Sequence, residues 1–147
     1  VSAPTAWLLL QVGSTWGMVG LIWFVQLVHY PLMGRVGSEH FVTYEAGHVQ
    51  RTSRVVIPLM LAELLSSLAL ALEGGDLVSR PEAMFGLLLL AGVWASTFFL
   101  QVPLHERLGD GFAASDHERL VRTNAIRTAL WSARGVLVLA WLARALG

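Results

Sequence analysis

The chain contains no cysteine and no lysine. Without thiols, intrachain disulfides, zinc–thiolate sites and iron–sulfur clusters are excluded. All ten basic residues are arginines; they balance ten acids, so no basic surface argues for nucleic acid as a partner. Charge of either sign is scarce, at 14% of residues, where a soluble domain of this size carries about a quarter. The first apolar segment lacks a basic flank and is too long and too rich in Gln, Gly and Trp for a signal-peptide core. It reads as structure.

What is present is apolar: 55% of the 147 residues are hydrophobic, and the mean hydropathy is +0.61. Four apolar spans can be drawn, roughly Ala6–Val28, Val55–Leu72, Ala83–Val102 and Ala125–Leu146, each near the ~20 residues a bilayer core requires. Glu73-Gly74-Gly75-Asp76 and Leu108-Gly109-Asp110-Gly111 read as turns between them. No internal repeat or domain boundary is apparent. The expectation is one all-α domain over residues 1–147, an integral membrane four-helix bundle with up-down-up-down topology.

Orientation follows from arginine placement. Arg35, Arg51, Arg54, Arg107, Arg119 and Arg122 lie in the connections joining spans one to two and three to four. By the positive-inside rule that side is cytoplasmic, and both termini lie on the non-cytoplasmic side of the cell's inner membrane. Trp7 and Trp141 fall where an outer aromatic belt would.

The polar residues inside these spans carry the functional argument. On helix one, Gln11, Thr15, Met18, Ile22, Gln26 and His29 share a side, which a lipid-facing helix would not present. Tyr30-Pro31 is expected to end that helix. On helix two, Glu45 and His48 share a face, with Thr52, Glu63, Ser66 and Ser67 near the same line. Pro58 predicts a kink. On helix three, Trp94, Phe98, Gln101 and His105 lie along one side. On helix four, Ser115-Asp116-His117-Glu118 has capping-box spacing, and His117, Asn124, Thr128 and Trp131 share a side flanked by Arg127. Glu63 needs a cationic partner at its depth; Arg134 is the simplest, with Arg127 the competitor.

All four helices thus deliver polar groups to one cytoplasmic half of the bundle. Glu-x-x-His is the spacing of carboxylate-bridged metal proteins, but it occurs once here, as Glu45-Ala46-Gly47-His48, so a dinuclear site is not expected. His29, Glu45, His48 and His105 make a coherent mononuclear donor set for iron, copper or zinc, and two of the histidines suit a haem; a site without cofactor stays open. Glu45, His48, Asn124 and Arg127 are the candidate catalytic residues, for proton transfer and oxyanion stabilisation. Gln26, Gln101 and Trp131 are the candidate cofactor- or substrate-binding residues.

Each has a structural alternative. The amides serve equally as interhelical hydrogen-bond glue, the tryptophans as core packing, Glu63 with Arg134 as a structural ion pair, and His40 and His117 as solvated surface residues. Gly13, Gly17 and Gly20 form a small-residue face for another helix, a second copy or a larger membrane complex.

Val102-Pro103-Leu104-His105-Glu106-Arg107-Leu108, followed by Arg122-Thr123-Asn124-Ala125-Ile126-Arg127-Thr128, resembles the anthrone-oxygenase-like family of small four-helix membrane proteins. The family has a proline and a polar residue closing its third span, and an Asn-x-x-Arg-Thr run opening its fourth, here Asn124, Arg127 and Thr128. The resemblance implies a cofactor-free membrane oxygenase acting on polycyclic anthrones. His105 stands where the family pattern has an amide, and the Tyr44-Glu45-x-x-His48-x-x-Arg51 run departs from it. The expected function is a membrane oxidoreductase acting on a lipophilic aromatic or quinone-like molecule. The rivals are a non-catalytic accessory subunit, or a small proton or ion conductor along Glu45, His48, Thr52 and Glu63.

Overall fold

The computed structural model describes residues 2–73 and 75–147. Among them there is no strand, and four helices are long and apolar enough to cross a membrane: α1 (Ala3–Met33), α2 (Ser38–Glu73), α3 (Arg80–Gly109) and α4 (Ala114–Leu146). Large apolar residues face outward along all four helices, and Leu27, Leu65, Leu88, Phe99 and Val136 are more than half exposed, which suits lipid rather than water. These features suggest a multi-pass membrane protein.

Local chemistry sets the ends. Ser2 caps α1, accepting from the Thr5 amide at 3.4 Å, with Pro4 in the first turn where no N–H is needed. Glu82 caps α3 by accepting from the Ser79 amide at 3.2 Å. The expected box at Ser115 is not used. α4 starts a residue earlier, behind Ala113, and Asp116 turns instead to Arg107 at 3.3 Å. Between α1 and α2, Gly37 takes φ +86°, a left-handed turn that a side chain would oppose.

Pro31 acts differently from the sequence expectation. α1 does not end at Tyr30-Pro31 but widens into a π turn over Val25–His29 and continues to Met33. α3 does the same over Thr97–Gln101, just before Pro103. Each π turn relieves a proline downstream: a proline ring crowds the carbonyl four residues back, and i→i+5 bonding gives it room. Tyr30 N–H then bonds to the Val25 carbonyl, and Val102 N–H to Thr97. α2, by contrast, runs uninterrupted through Pro58.

The inserted residue rotates everything after it. Buried positions on α1 step by three or four through Leu8, Gln11, Thr15, Met18, Ile22 and Val25, then jump five to Tyr30. On α3 the same jump runs from Ser96 to Gln101. So Phe98, expected on the inner side with Gln101, is exposed. Each π turn is followed by the same pattern, Pro31-Leu32-x-x-Arg35-Val36-Gly37 and Pro103-Leu104-x-x-Arg107-Leu108-Gly109. The chain therefore does contain a short internal repeat, of a π turn and a proline-led helix end.

The helices pack in a ring, α1 against α2 and α4, α3 against α4 and, less closely, α2. Three apolar layers form the core. One joins Leu8, Leu70, Val138 and Trp141; a middle one joins Met18, Ile22, Met60, Val93 and Trp131; the third joins Tyr30, Met33, Phe41, Leu104, Leu108 and Leu120. Trp141 is buried against Gly86 rather than sitting in an outer belt, whereas Trp16 and Trp23 face outward. Of the expected glycine face, only Gly17 is approached within the chain, by Leu59; a Cβ on Gly13 or Gly20 would meet nothing. Close approaches between helices fall instead at Gly135, against Val19, at Gly86, against Trp141, and at Gly92, against Leu130.

Candidate functional site

The third apolar layer carries a polar cluster built by α1, α2 and α3. Glu45, 1% exposed, places Oε1 2.5 Å from His105 Nδ1. On the other side of that imidazole, Nε2 lies 2.9 Å from the Tyr30 hydroxyl, which also donates to Gln101 Oε1 at 3.4 Å. Gln101 Nε2 donates to Thr123 of α4 at 2.9 Å. The π turns make this possible, since both Tyr30 and Gln101 are the first inward residues after the jump.

His29 and His48 complete the cluster. His29 Nε2 is 2.8 Å from His48 Nδ1, and the rings stack with centroids 4.5 Å apart. Thr52 bonds His48 Nδ1 at 3.1 Å, and the His48 and His105 rings lie 5.3 Å apart. The four residues expected as metal ligands therefore do meet. Their donors, however, are turned toward one another rather than a common centre. Among the described residues no three His, Asp or Glu side chains are arranged to hold one metal ion. As they stand, the donors do not fit a mononuclear metal. They fit proton exchange: carboxylate, imidazole and phenol in series, each within bonding reach of the next.

Asn124, Arg127 and Gln26 form a second group, one layer deeper. Asn124 Oδ1 accepts from Arg127 Nε at 3.0 Å and Nη2 at 2.7 Å, and its amide donates to Gln26 Oε1 at 2.9 Å. Gln26 in turn donates to the Val121 carbonyl at 3.3 Å. Arg127 reaches Thr97 at 3.4 Å, and its guanidinium carbon sits 5.8 Å from the centre of the Trp131 ring. The phenol of Tyr30 lies within electrostatic reach of the guanidinium.

Trp131 belongs to a third, deeper network. Its indole donates to Glu63 Oε2 at 2.9 Å, and Glu63 Oε1 accepts from Thr15 and from Arg134 Nε, each at 2.8 Å. Arg134 also donates to Ser67 at 3.0 Å and to the Gly86 carbonyl. Gln11 closes the network, donating to Thr15 and accepting from Ser66 and Ser67. The sequence expectation that Glu63 pairs with Arg134 rather than Arg127 holds. Every polar atom in this network has a partner, which marks a structural role.

Tyr30 is the central residue that sequence reasoning missed. A straight helix would not have turned it inward, and only the proline after it signalled the π turn. His117, expected on the inner side of helix four with a solvated position as its alternative, is half-buried and bonds the Tyr30 carbonyl at 2.8 Å, fastening α4 to the end of α1. A Cβ on Gly34 would lie 2.7 Å from the His117 ring. Gly34→Ala should therefore cost about 1–3 kcal/mol of stability despite its helical φ, and close to nothing in a His117→Ala background. Thermal unfolding of the four proteins in detergent measures this cycle; equal costs in both backgrounds would discard it.

Two surface concavities lie away from the imidazoles. One, about 310 Å³, is lined by Asp76, Ser79, Glu82 and Arg144. The other, about 350 Å³ and apolar, lies in the looser α2–α3 seam between Leu64, Leu87, Leu90, Ala91 and Trp94. Comparison with protein-family models, with curated proteins and with solved structures gave no match.

Proposed function

We propose that this chain is a multi-pass inner-membrane oxidoreductase of the oxygenase type, related in kind to the anthrone-oxygenase-like proteins, acting on a lipophilic aromatic or quinone-like substrate. Its helices run up-down-up-down, with both termini on the non-cytoplasmic side and the arginine-bearing connections in the cytoplasm. The observation that carries the reading is the series Glu45–His105–Tyr30, embedded among apolar helices at the end where the α1–α2 and α3–α4 connections meet.

In this reading His105 accepts the acidic proton of the substrate, directly or through Tyr30, and Glu45 holds the imidazole and stabilises its charged form. This reassigns Glu45 from His48, its expected partner, to His105. The electron pair left on the substrate forms an enolate, stabilised by Arg127 and Asn124. Dioxygen then adds at the electron-rich carbon. Overall a ring CH2 and O2 become a ring carbonyl and water, so atoms and electrons balance without another oxidant. The apolar groove in the α2–α3 seam lies away from the imidazoles and opens toward the Arg127 side, reaching Trp94 one turn from Thr97.

The test uses the protein in lipid nanodiscs with anthrone, and separately with a lipophilic hydroquinone, following oxygen uptake and quinone absorbance. Uptake above empty nanodiscs is expected, lost in Glu45→Gln and His105→Ala. A wild-type rate equal to the lipid blank would refute the reading. Elemental analysis and an absorption spectrum of the same sample decide between the cofactor-free version and one metal or haem per chain.

One observation favours an additional role in assembly: Gly13 and Gly20 are exposed on α1 with open space before them, as a docking helix would need. Through-conduction of protons is disfavoured. Between Tyr30 and Glu63 lie Met18, Ile22, Met60 and Trp131, and an indole donates a hydrogen bond but accepts none.

A further inference from the structure

Two arginines are buried in the bundle, and they are treated differently. Arg134, 1% exposed, has Glu63 as counter-ion. Arg127, 8% exposed, has none: among the described residues it forms no ion pair. The remaining buried acid, Glu45, is committed to His105. Arg127 makes three hydrogen bonds, all to neutral oxygens of Asn124 and Thr97. The phenol oxygen of Tyr30, also neutral, lies within reach of the same guanidinium, so what Arg127 lacks is a countercharge and not hydrogen-bond acceptors. A cation held in an apolar interior without a counter-ion is strongly unfavourable, and a protein keeps one where an anion completes the site.

We infer that Arg127 is the receptor for a lipophilic oxyanion, the ionised hydroxyl of an acidic aromatic such as a hydroxyquinone. Three features set the class. The guanidinium is a fork suited to oxygen anions. The indole of Trp131 and the phenol of Tyr30 flank it, supplying aromatic walls. The apolar groove reaches Trp94, whose indole nitrogen is buried without a partner and which lies one turn from Thr97, an Arg127 contact. The inference deepens the proposed reaction, resting on it for the site and adding that the ligand is held as an anion in its resting state.

The experiment is a binding measurement, independent of turnover. A 3-alkyl-2-hydroxy-1,4-naphthoquinone, ionised at neutral pH, is compared with its 2-methoxy ether, which is not. Tryptophan quenching is followed in phosphatidylcholine nanodiscs and corrected for empty discs. Wild type is expected to prefer the anion about tenfold or more. Arg127→Gln should abolish that preference. Asn124→Asp should abolish it as well, because the carboxylate stands where Arg127 already donates twice and supplies the missing counter-ion; this variant is expected to fold as well as wild type or better, which keeps the test sound if Arg127→Gln does not accumulate. No anion preference in wild type, or a preference surviving in either folded variant, overturns the inference. Anion preference without oxygen uptake would remove the proposed reaction and leave this site standing.

Discussion

Glu63→Leu is expected to cost about 3–5 kcal/mol, because it strands Arg134 in the core without its carboxylate and leaves Thr15 and Trp131 without their acceptor. Breaking a buried pair from one side costs more than the pair is worth. Glu63→Leu combined with Arg134→Met should therefore recover most of the loss, since neither charge then remains to be desolvated. Denaturant titration of the detergent-solubilised protein gives both values. A single variant losing less than about 1 kcal/mol, or a double variant as unstable as the single, would show that the charges are not mutually dependent. The folded double variant should keep any oxygen uptake of the wild type, because this network touches none of the imidazoles.

The shallower pair should respond alike in stability and differently in activity. His105→Leu removes the one hydrogen bond that Glu45 makes, and Glu45 Oε2 already has no partner. A carboxylate 1% exposed is then left with nothing, again a loss of about 3–5 kcal/mol. Adding Glu45→Leu should restore the fold. It should not restore function, because the base and the group that orients it are both gone. A stable His105→Leu/Glu45→Leu protein with wild-type oxygen uptake would assign the cluster to packing. The contrast between the two double variants, one folded and active and the other folded and inactive, separates structural charge from working charge.

Much of this was legible in the residues. Long apolar runs with few charges dictate membrane-length helices, because backbone groups in lipid must bond within their own segment. Glu63 demanded a cation at its depth, and Arg134 lay there. His29, Glu45, His48 and His105 were expected to gather, and they do. Their pairing was not legible. Glu45 and His48 share a helix face, yet Glu45 turns to His105 on α3, a choice made by the distance between helices and not by spacing along one. The capping box at Ser115 and the aromatic belt at Trp141 failed for a like reason: each was inferred from local pattern, whereas Asp116 pairs with Arg107 and Trp141 packs on Gly86 of α3.

What the sequence by itself determined is the class of molecule: helices long enough to span a bilayer, charges confined to their ends and to a few buried positions, and no thiol chemistry. Only the tertiary structure decided which polar side chains form a working series. The reason lies in the two π turns. α1 and α3 each take in one extra residue just before Pro31 and Pro103, and that insertion turns Tyr30 and Gln101 inward, Tyr30 to bond both Gln101 and His105. A helical wheel drawn at 3.6 residues per turn cannot register that rotation.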